Sequence, residues 1–535
     1  MEYYDNFPEY KTVKELVIEG AKAGGDKREF VFEDDDGNEH QRTFFEVHED
    51  EMRLGAYLHK KGILPPQKIA ILSGNSYMWN VIYYTAAAGG YVIVPLDERL
   101  SGEEIAGQLE NCSCEVLFHS GENSDKAALA KSVRHCFNTD EMDAVLREGQ
   151  ECRAQFEEAF LSYNVAPEDL LSIVYTSGTT GKTKGVMLSH KNVMADVNSS
   201  LHANTGGHAI GFLPLNHTYS WVTGLFAGLV MTEWGFICTK LSHIYKDIMK
   251  YKPLQFAAVP IAVEMIYSRI ISSAKRKGSY ETLMNAIEVS NNFLLCGFDS
   301  RREFFDEIHE NLGGELRYIL CGGAYLDPKI EKFMNDIGIP VLTGYGLTEC
   351  SPCVTCSRLQ HHKIGSVGLP LACNEIKIKD PDENGIGEIL VRGDNVMMGY
   401  YNGPESTAAA FEGDWLKTGD YGYLDDEGYL YFTGRKKNLI ILGNGKNVSP
   451  EEIEGKLSGI EFVKEVLVYE EKGRITAEFF LDTEKFPDAA ERLNEEVDRV
   501  NGEMAEFKQV TRIKTRDVEF PKTTTLKIIR QNRDD

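Results

Sequence analysis

The chain has 535 residues, of which 42% are apolar, enough to form the interiors of two or three domains. It carries 57 basic and 83 acidic residues, for a formal charge of −26. This charge argues against nucleic acid or an anionic membrane surface as a partner, and anionic substrates must therefore be met by local cations. Residues Met1 to Asp5 lack the basic and apolar segments of a secretory signal, so we expect a cytoplasmic protein.

Strand-like and helix-like runs alternate through the first 400 residues. Strands are predicted at 68–72, 91–95, 115–118, 256–259, 318–321 and 339–342, and capped helices from Ser76 to Ala88 and from Ser101. The apolar run 79–94 is broken by Gly89 and Gly90, so we interpret it as a buried helix entering a core strand and expect no transmembrane segment. Such alternation is typical of doubly wound parallel sheets.

From about Gly365 the pattern changes to short alternating runs separated by turn residues, including 375–379 and 387–392. This pattern of short alternating runs predicts a small antiparallel barrel. After Lys437 a compact unit follows, with strands predicted at 464–469 and 475–481 and a helix at 489–501.

The most informative segment is the run Thr176 to Val186, which follows the apolar stretch 170–174 and holds three glycines, four threonines and two lysines. Glycines let backbone amides point inward, and hydroxyl and ammonium groups add donors, so the loop predicts a triphosphate site. Its binding residues are expected to be Thr176, Ser177, Gly178, Thr179, Thr180, Gly181, Lys182 and Lys184.

This loop departs from a Walker loop, which needs the pattern G-x-x-x-x-G-K-[ST]. Thr176 stands where the first glycine belongs. A Walker lysine also opens a helix, whereas the β-favouring residues 186–188 follow here and a helix is signalled only from Ser189 or Asn192. The prediction is therefore strand, loop, strand.

Cys350, Cys353 and Cys356 have the spacing of cluster ligands, and two histidines follow closely. No fourth paired ligand is evident, and the alternating run 351–356 predicts a strand with Cys350 and Cys356 on one face and Cys353 on the other. Packing as small buried side chains is favoured over metal ligation, and any role beyond packing stays open.

The phosphate loop and six later motifs, in order over some 350 residues, resemble the adenylate-forming superfamily of acyl-CoA synthetases, amino-acid-activating domains and luciferases. The later segments are 211–219, which resembles an acyl-pocket motif, 321–324 and 344–349, which resemble adenine-binding segments, and 418–420, 434–437 and 521–527. The sequence of residues 186–192 resembles that of the long-chain fatty acyl-CoA ligases in particular.

The resemblance implies an α/β fold in two domains. A large AMP-binding domain, residues 1–436, would hold two doubly wound subdomains and the small β-barrel. A mobile α+β lid domain, residues 437–535, would follow, with Lys437 at the pivot between two conformations.

The resemblance also implies a reaction: ATP-dependent activation of a carboxylic acid, with a fatty acid favoured, to an acyl-adenylate and pyrophosphate, followed by transfer to CoA. ATP, Mg²⁺ and CoA would be the cofactors. Two alternatives stay open, an acyl-AMP ligase that loads a separate carrier protein and a non-catalytic nucleotide-binding regulator. Chain length of the acid, oligomeric state and pathway cannot be read from the residues.

Residue roles follow from the same resemblance. The catalytic residues would be Thr348, Glu349, His217 and Lys527. Glu349 would hold Mg²⁺, and Lys527 would neutralise charge in the adenylation transition state. The nucleotide would be bound by Gly322, Gly323, Ala324, Tyr345, Gly346, Asp420, Arg435 and Lys437. Gly445 and Lys446 would lie near the incoming thiol, although the segment 443–448 reads equally well as a simple turn.

The acyl site is the least specific of these expectations. His217 and Trp221 are four residues apart, which in a helix places both on one side. In a long-chain synthetase a tryptophan at this offset gates the acyl tunnel, while a core aromatic is the equal alternative. Gly344 would line the same pocket. No acidic residue lies between 217 and 232 to hold a substrate ammonium, which favours an apolar acid over an amino acid.

Overall fold

The computed structural model describes residues 7–34, 36–177, 183–203, 206–238, 243–442, 447–522 and 528–530. They form an α/β fold with two large mixed sheets, a small antiparallel sheet and a C-terminal α+β unit. Within these ranges, no helix combines the length and the apolar character needed to cross a bilayer.

The first part of the chain alternates strands with helices. Its strands are β1 (Arg28–Glu33), β2 (Glu39–Thr43), β3 (Lys68–Leu72), β4 (Val92–Pro95), β5 (Val116–His119), β6 (His135–Asn138), β7 (Leu170–Ser177) and β8 (Thr183–Ser189). Its helices are α1 (Val13–Gly24), α2 (Phe44–Lys60), α3 (Tyr77–Gly89), α4 (Gly102–Asn111), α5 (Ser124–Ala127), α6 (Met142–Leu161) and α7 (His190–Ala203). The predicted caps are confirmed: Ser76 accepts from the Trp79 amide, and Ser101 forms a capping box with Glu104.

The second part repeats this pattern. Its strands are β9 (Ala209–Gly211), β10 (Gly235–Ile237), β11 (Gln255–Ala258), β12 (Tyr318–Cys321), β13 (Val341–Gly346), β14 (Cys353–Cys356) and β15 (Leu369–Pro370). Its helices are α8 (Thr218–Ser220), α9 (Ala227–Met231), α10 (Ile244–Tyr251), α11 (Pro260–Arg276), α12 (Tyr280–Leu295), α13 (Arg301–Phe304), α14 (Asp306–Glu310) and α15 (Pro328–Asp336). A π-helical turn, Trp221–Phe226, joins α8 to α9.

The remaining elements are shorter. The strands are β16 (Asn374–Lys379), β17 (Gly387–Gly393), β18 (Gly399–Tyr400), β19 (Phe411–Glu412), β20 (Trp415–Leu424), β21 (Leu430–Arg435), β22 (Ile440–Ile441), β23 (Asn447–Val448), β24 (Val463–Glu471), β25 (Arg474–Leu481) and β26 (Arg512–Arg516). The helices are α16 (Pro404–Ala410), α17 (Pro450–Leu457) and α18 (Ala489–Asn501).

Both large sheets are parallel in their centres and antiparallel at an edge, which confirms the predicted doubly wound architecture. The first has the order β18-β8-β7-β4-β3-β5-β6. At its β18 edge, β8 runs antiparallel to both of its neighbours, β7 and β18. The second has the order β15-β14-β13-β12-β11-β9-β10-β1-β2. Ligands of such sheets bind beyond the carboxyl ends of the strands, and β7, β12 and β13 all end there in segments with predicted site residues.

The predicted small barrel is instead an open sheet of five antiparallel strands. Strands β16, β17 and β20 are neighbours, and both β19 and β21 pair with β20. Through residues 374–435 no pair closes this sheet on itself. The two-residue strand β19 is too short to continue the sheet, so the edges stay separate.

The C-terminal unit has its own apolar core, which runs from Ile440 to Val510 and covers the sheet β24-β25-β26. It packs on the large part of the molecule through α17. A Cβ atom on Gly455 would lie 2.3 Å from the Tyr325 ring, so helix and ring are in close contact. Lys329 and Glu503 form an ion pair of 2.6 Å across the same boundary.

Candidate active site

The predicted phosphate segment begins and ends in two paired strands. Strands β7 and β8 pair antiparallel, with Thr176 opposite Lys184 and Ser177 opposite Thr183. Helix α7 begins only at His190, so the predicted strands before and after the loop are confirmed. The predicted residues at the tip, Gly178, Thr179, Thr180, Gly181 and Lys182, lie outside the described residues.

Tyr400 connects this hairpin to the predicted metal carboxylate. Strand β18 pairs with β8, so that Tyr400 lies opposite Val186. The Lys184 ammonium is 4.7 Å from the centre of the Tyr400 ring, and the Tyr400 hydroxyl donates a hydrogen bond of 2.9 Å to Oε1 of Glu349. Lys184 and Glu349 are far apart in sequence, yet both contact the Tyr400 side chain, one at its ring and the other at its hydroxyl.

Glu349 lies in a tight turn at the carboxyl end of β13. The turn Thr348–Cys350 is a single 3₁₀ turn, and the Leu347 amide donates to the Pro352 carbonyl over 2.9 Å. Gly346 is required for this path, because a Cβ atom there would lie 2.0 Å from the Pro352 oxygen. The turn thus fixes the backbone from which the half-buried Glu349 carboxylate projects.

A single carboxylate at this turn fits Mg²⁺, which binds through one or two protein carboxylates and completes its shell with water and substrate phosphates. Across the part of the chain that the structure describes, no group of three or more His, Cys, Asp or Glu side chains is placed to hold a metal by itself. The donor set at Glu349 is therefore suited to a metal that arrives with a phosphate ligand.

Two buried polar side chains form hydrogen bonds with the backbone of the turn and of the residues that follow it. Asp196 of α7 accepts a hydrogen bond of 2.6 Å from the Cys353 amide. Asn395 donates to the carbonyls of Cys350 and Cys353 over 2.8 and 2.7 Å. Burial raises the pKa of Asp196 well above its usual range. These contacts tie the Glu349 turn to the helix that follows the phosphate hairpin.

The predicted nucleotide residues form a second group around Asp420, which is buried at the pairing of β20 with β21. The Tyr345 hydroxyl donates to Asp420 Oδ2 over 2.8 Å, and Arg435 Nε lies 3.5 Å from Oδ1. The Tyr345 ring stacks on Phe432 with centroids 6.0 Å apart. The group is held to the Glu349 turn by strand β13, which carries Tyr345.

Gly322, Gly323 and Ala324 follow β12 beside this group. Gly322 is buried, and a Cβ atom there would lie 3.6 Å from both the Gly344 oxygen and the Tyr219 ring. Gly323 has φ +89°, which favours glycine, and it is exposed together with Ala324. The segment therefore presents a flat backbone surface free of side chains larger than a methyl group.

His217 lies just before a helix, so the helical condition of the spacing argument is not met for His217 and Trp221. His217 has φ −100° and ψ 137° and precedes α8, while Trp221 opens the π-helical turn. Trp221 is completely buried, with ring centroids 5.4 Å from Tyr83 and 5.6 Å from Phe226. Its place in an aromatic cluster agrees with a core role, and its gating of an acyl tunnel stays a prediction.

The predicted pivot lies where charged groups of both units meet. Lys437 interacts electrostatically with Arg435 and Asp420 of the large part and with Glu451 and Arg530 of the C-terminal unit. Desolvation of its ammonium group and the nearby Arg435 lower the pKa of Lys437. The other residues predicted for this unit, Gly445, Lys446 and Lys527, lie outside the described residues.

The cysteine segment differs in detail from the prediction. Cys353 and Cys356 are the ends of β14, as expected for a strand, but Cys350 is fully buried in the 3₁₀ turn before it. Burial raises the pKa of the Cys350 thiol well above its usual range, so the thiol stays neutral and packs as a small apolar group.

The structure thus brings together two groups at the end of β13: Lys184, Tyr400 and Glu349, and Tyr345, Asp420 and Arg435. Tyr400 and Tyr219 were not among the predicted site residues. Each contacts residues distant in sequence, and a two-residue strand such as β18 has no periodicity that could have identified Tyr400.

Comparisons with known proteins identify the family and the fold. The family model described as AMP-binding enzyme matches residues 18–401. The human long-chain-fatty-acid–CoA ligase 1 is 30% identical over 467 residues, which cover 78% of this chain and 66% of that protein. The long-chain-fatty-acid–CoA ligase FadD15 of Mycobacterium bovis is 28% identical over 457 residues, covering 79% of this chain and 74% of its own length.

Solved structures share the fold over nearly the whole chain. The anthranilate CoA ligase AuaEII, in complex with anthranoyl-AMP, superposes with a TM-score of 0.80 at 20% identity, covering 99% of this chain and 97% of that one. The o-succinylbenzoate CoA synthetase MenE of Bacillus subtilis, with ATP and magnesium, gives 0.74 at 24% identity, covering 97% and 99%. On the strength of the family model, which covers well over half of its residues, this chain belongs to the AMP-binding enzyme family.

Proposed function

We propose that this enzyme activates an apolar carboxylic acid with ATP, forming an acyl-adenylate and pyrophosphate, and then transfers the acyl group to CoA. The observation that carries this proposal is the meeting of the phosphate hairpin with the Glu349 turn through Tyr400. The relatives named long-chain-fatty-acid–CoA ligases support a fatty acid as the substrate class.

The first step makes an unreactive acid reactive. One carboxylate oxygen attacks the α-phosphorus of ATP, the bond to the β-phosphate breaks, and pyrophosphate leaves. Negative charge collects at phosphorus, so positioning and electrostatics supply most of the catalysis. Lys184 and the hairpin bind the phosphates, and Glu349 holds Mg²⁺, which neutralises phosphate charge when bound.

The nucleoside is bound at the second group. Asp420 accepts hydrogen bonds from the ribose hydroxyls, and Arg435 opposite it contacts the phosphate–ribose side. The backbone of residues 322–324 leaves room for a flat adenine, with Tyr345 beside it. Tyr345 also holds Asp420 in place through its hydroxyl.

The second step releases AMP. The CoA thiolate attacks the acyl carbonyl, the carbonyl carbon–oxygen bond to phosphate breaks, and AMP leaves with that oxygen. The two steps use different faces of the lid domain, residues 437–535, which turns about Lys437. Lys527 serves the first step, and Gly445 and Lys446 serve the second.

The acyl chain is proposed to lie beside the segment 217–221, with Gly344 at the carboxylate end. An apolar chain fits a wall that includes the fully buried Trp221 and no acidic residue between 217 and 232. His217, half-buried just before α8, is proposed to lie at the reacting carboxylate.

Exchange of labelled pyrophosphate into ATP tests the first step with a panel of acids from acetate to palmitate, benzoate and amino acids. We expect exchange that requires Mg²⁺ and an apolar acid and that does not require CoA. Asp420→Ala removes the ribose acceptor and should abolish exchange, whereas Asp382→Ala, in an exposed turn, should not. Exchange with amino acids alone would overturn the assigned substrate class.

The acceptor is tested by adding CoA or a phosphopantetheinylated carrier protein to the charged enzyme. Mass spectrometry should find acyl-CoA. Acylated carrier protein without acyl-CoA would contradict the second step as proposed, and acyl-adenylate that accumulates with both acceptors would also contradict it.

A further inference from the structure

Among the residues that the structure describes, the Tyr400 side chain touches both halves of the proposed phosphate site, and the motifs quoted from the sequence do not contain it. Its hydroxyl donates to Glu349 and its ring lies under the Lys184 ammonium. The next residue, Tyr401, points to another lysine, Lys68, with 5.4 Å between ammonium and ring centre.

The backbone fixes where the Tyr400 ring lies. Strand β18 is paired with β8, and the Tyr401 amide donates to the Gly185 carbonyl over 2.7 Å. The Tyr400 amide donates to Thr407 Oγ1 over 2.9 Å. Gly399 has φ +134°, and a Cβ atom there would lie 2.8 Å from Thr407, so only glycine permits this approach. The segment is therefore part of the hairpin's sheet.

The hydrogen bond to Glu349 has a definite direction. An ionised carboxylate only accepts, so the Tyr400 hydroxyl must donate. A phenol is protonated at neutral pH, so the hydroxyl has the proton that this bond requires. Oε1 takes this bond, while Oε2 accepts no hydrogen bond from the residues that the structure describes.

The second contact of the Tyr400 side chain is that of its ring with Lys184. A cation 4.7 Å from a ring centre is attracted by the negative face of the aromatic ring. The Lys184 backbone is held opposite Thr176 in the hairpin. The contact with the Tyr400 ring then restricts the position of the Lys184 ammonium group. One side chain thus sets the positions of a cation for the phosphates and of a carboxylate for the metal.

We propose that Tyr400 is a positioning residue that couples the phosphate hairpin to the metal carboxylate, with its hydroxyl orienting Glu349 toward Mg²⁺ and its ring orienting Lys184 toward the phosphates. This inference rests on the proposed function, because it assumes that ATP and Mg²⁺ bind at these groups. It assigns separate tasks to two parts of one side chain, and a substitution can separate them.

Calorimetry of ATP binding without acid, over a series of Mg²⁺ concentrations, tests the inference without any turnover. Tyr400→Phe keeps the ring and removes the hydroxyl, so ATP affinity without Mg²⁺ should stay within about twofold. The gain in ATP affinity on adding Mg²⁺ should fall roughly tenfold, as expected for loss of a hydrogen bond to a charged group.

The matched control is Tyr401→Phe, which makes the same change on the next residue, beside Lys68 instead of Lys184. Both its affinity without Mg²⁺ and its gain from Mg²⁺ should equal those of the wild type. If Tyr400→Phe gains as much from Mg²⁺ as the wild type, or if Tyr401→Phe loses as much as Tyr400→Phe, the inference is overturned.

A double-mutant cycle with Glu349→Gln shows whether the hydroxyl acts through the carboxylate. In the Glu349→Gln protein, adding Tyr400→Phe should change the gain from Mg²⁺ by less than about twofold. Two independent tenfold losses would contradict the coupling. If Tyr400→Phe does not fold by thermal unfolding, Glu349→Asp draws the carboxylate back from an intact Tyr400, and an unchanged gain from Mg²⁺ there would equally overturn the inference.

The failure of this inference differs from failure of the proposed function. If no acid supports pyrophosphate exchange, the proposed function falls, while the Mg²⁺ dependence of ATP binding still decides the role of Tyr400. If exchange is normal and Tyr400→Phe matches the wild type, only the role of Tyr400 falls.

Discussion

Replacing Gly346 by alanine tests whether the backbone of the Glu349 turn sets activity. The new Cβ atom would lie 2.0 Å from the Pro352 carbonyl oxygen, 2.8 Å from its carbon and 3.1 Å from Cys353 Cα. These are backbone atoms, so no side chain can turn away. Since ordinary contact begins near ~3.4 Å, the two segments must separate by more than ~1 Å.

The separation acts directly on the turn that carries Glu349. It lengthens the hydrogen bond of 2.9 Å from the Leu347 amide to the Pro352 carbonyl. Overpacking of this kind costs about 1–3 kcal/mol of stability. A displacement of ~1 Å at the metal carboxylate can reduce the rate about a hundredfold, because catalysis depends on exact placement of charge.

The assay is acid-dependent pyrophosphate exchange, with thermal unfolding measured on the same samples. The control is Gly107→Ala in α4, where a Cβ atom meets nothing within 4 Å, so alanine should leave exchange unchanged and stabilise the helix by up to about 1 kcal/mol. If Gly346→Ala folds and exchanges pyrophosphate as fast as Gly107→Ala, the turn does not position a catalytic group and the reasoning is refuted.

Three further outcomes follow from the same account. Lys527→Ala should reduce adenylate formation by orders of magnitude and spare thioester synthesis from preformed acyl-adenylate; equal losses in both half-reactions would contradict its role. Burial and the nearby Asp327 raise the pKa of Glu264 to about 7 from 4.5, so the folded state holds a proton that the unfolded chain has released. The free energy of unfolding should therefore fall as pH rises from about 4.5 through about 7, and Glu264→Gln should raise it by about 1–3 kcal/mol at pH 8 and little at pH 5, by denaturant titration. Trp221→Phe should shift the preferred acyl chain length in competition assays if Trp221 borders the tunnel; lower stability with an unchanged preference would leave it a core aromatic.

Much of the fold could be predicted because its elements are locally encoded. The strand over residues 68–72, the Ser76 and Ser101 caps and the helix over 489–501 agree with the structure, since apolar periodicity and capping side chains lie within each element. The antiparallel sheet of residues 374–435 was mistaken for a barrel because closure depends on which strands pair, which short alternating runs do not specify.

The residues of the candidate site also fall into those that local sequence predicts and those that it does not. The hairpin residues and Glu349 were predicted as site residues because they lie in continuous motifs. Tyr400 and Asp196 were not, because their partners are distant in sequence and each is an ordinary residue in its own segment. The spacing of His217 and Trp221 does not decide whether they share a face, because a four-residue spacing implies one face only inside a helix and the His217 backbone is extended.

The path of one oxygen atom tests the central claim most directly. An acid labelled with ¹⁸O in its carboxylate is converted to acyl-CoA in a single turnover, and the AMP and pyrophosphate are analysed by mass spectrometry. If the carboxylate attacks the α-phosphorus, one labelled oxygen must appear in AMP and none in pyrophosphate. Thioester formed without label in AMP would contradict the account.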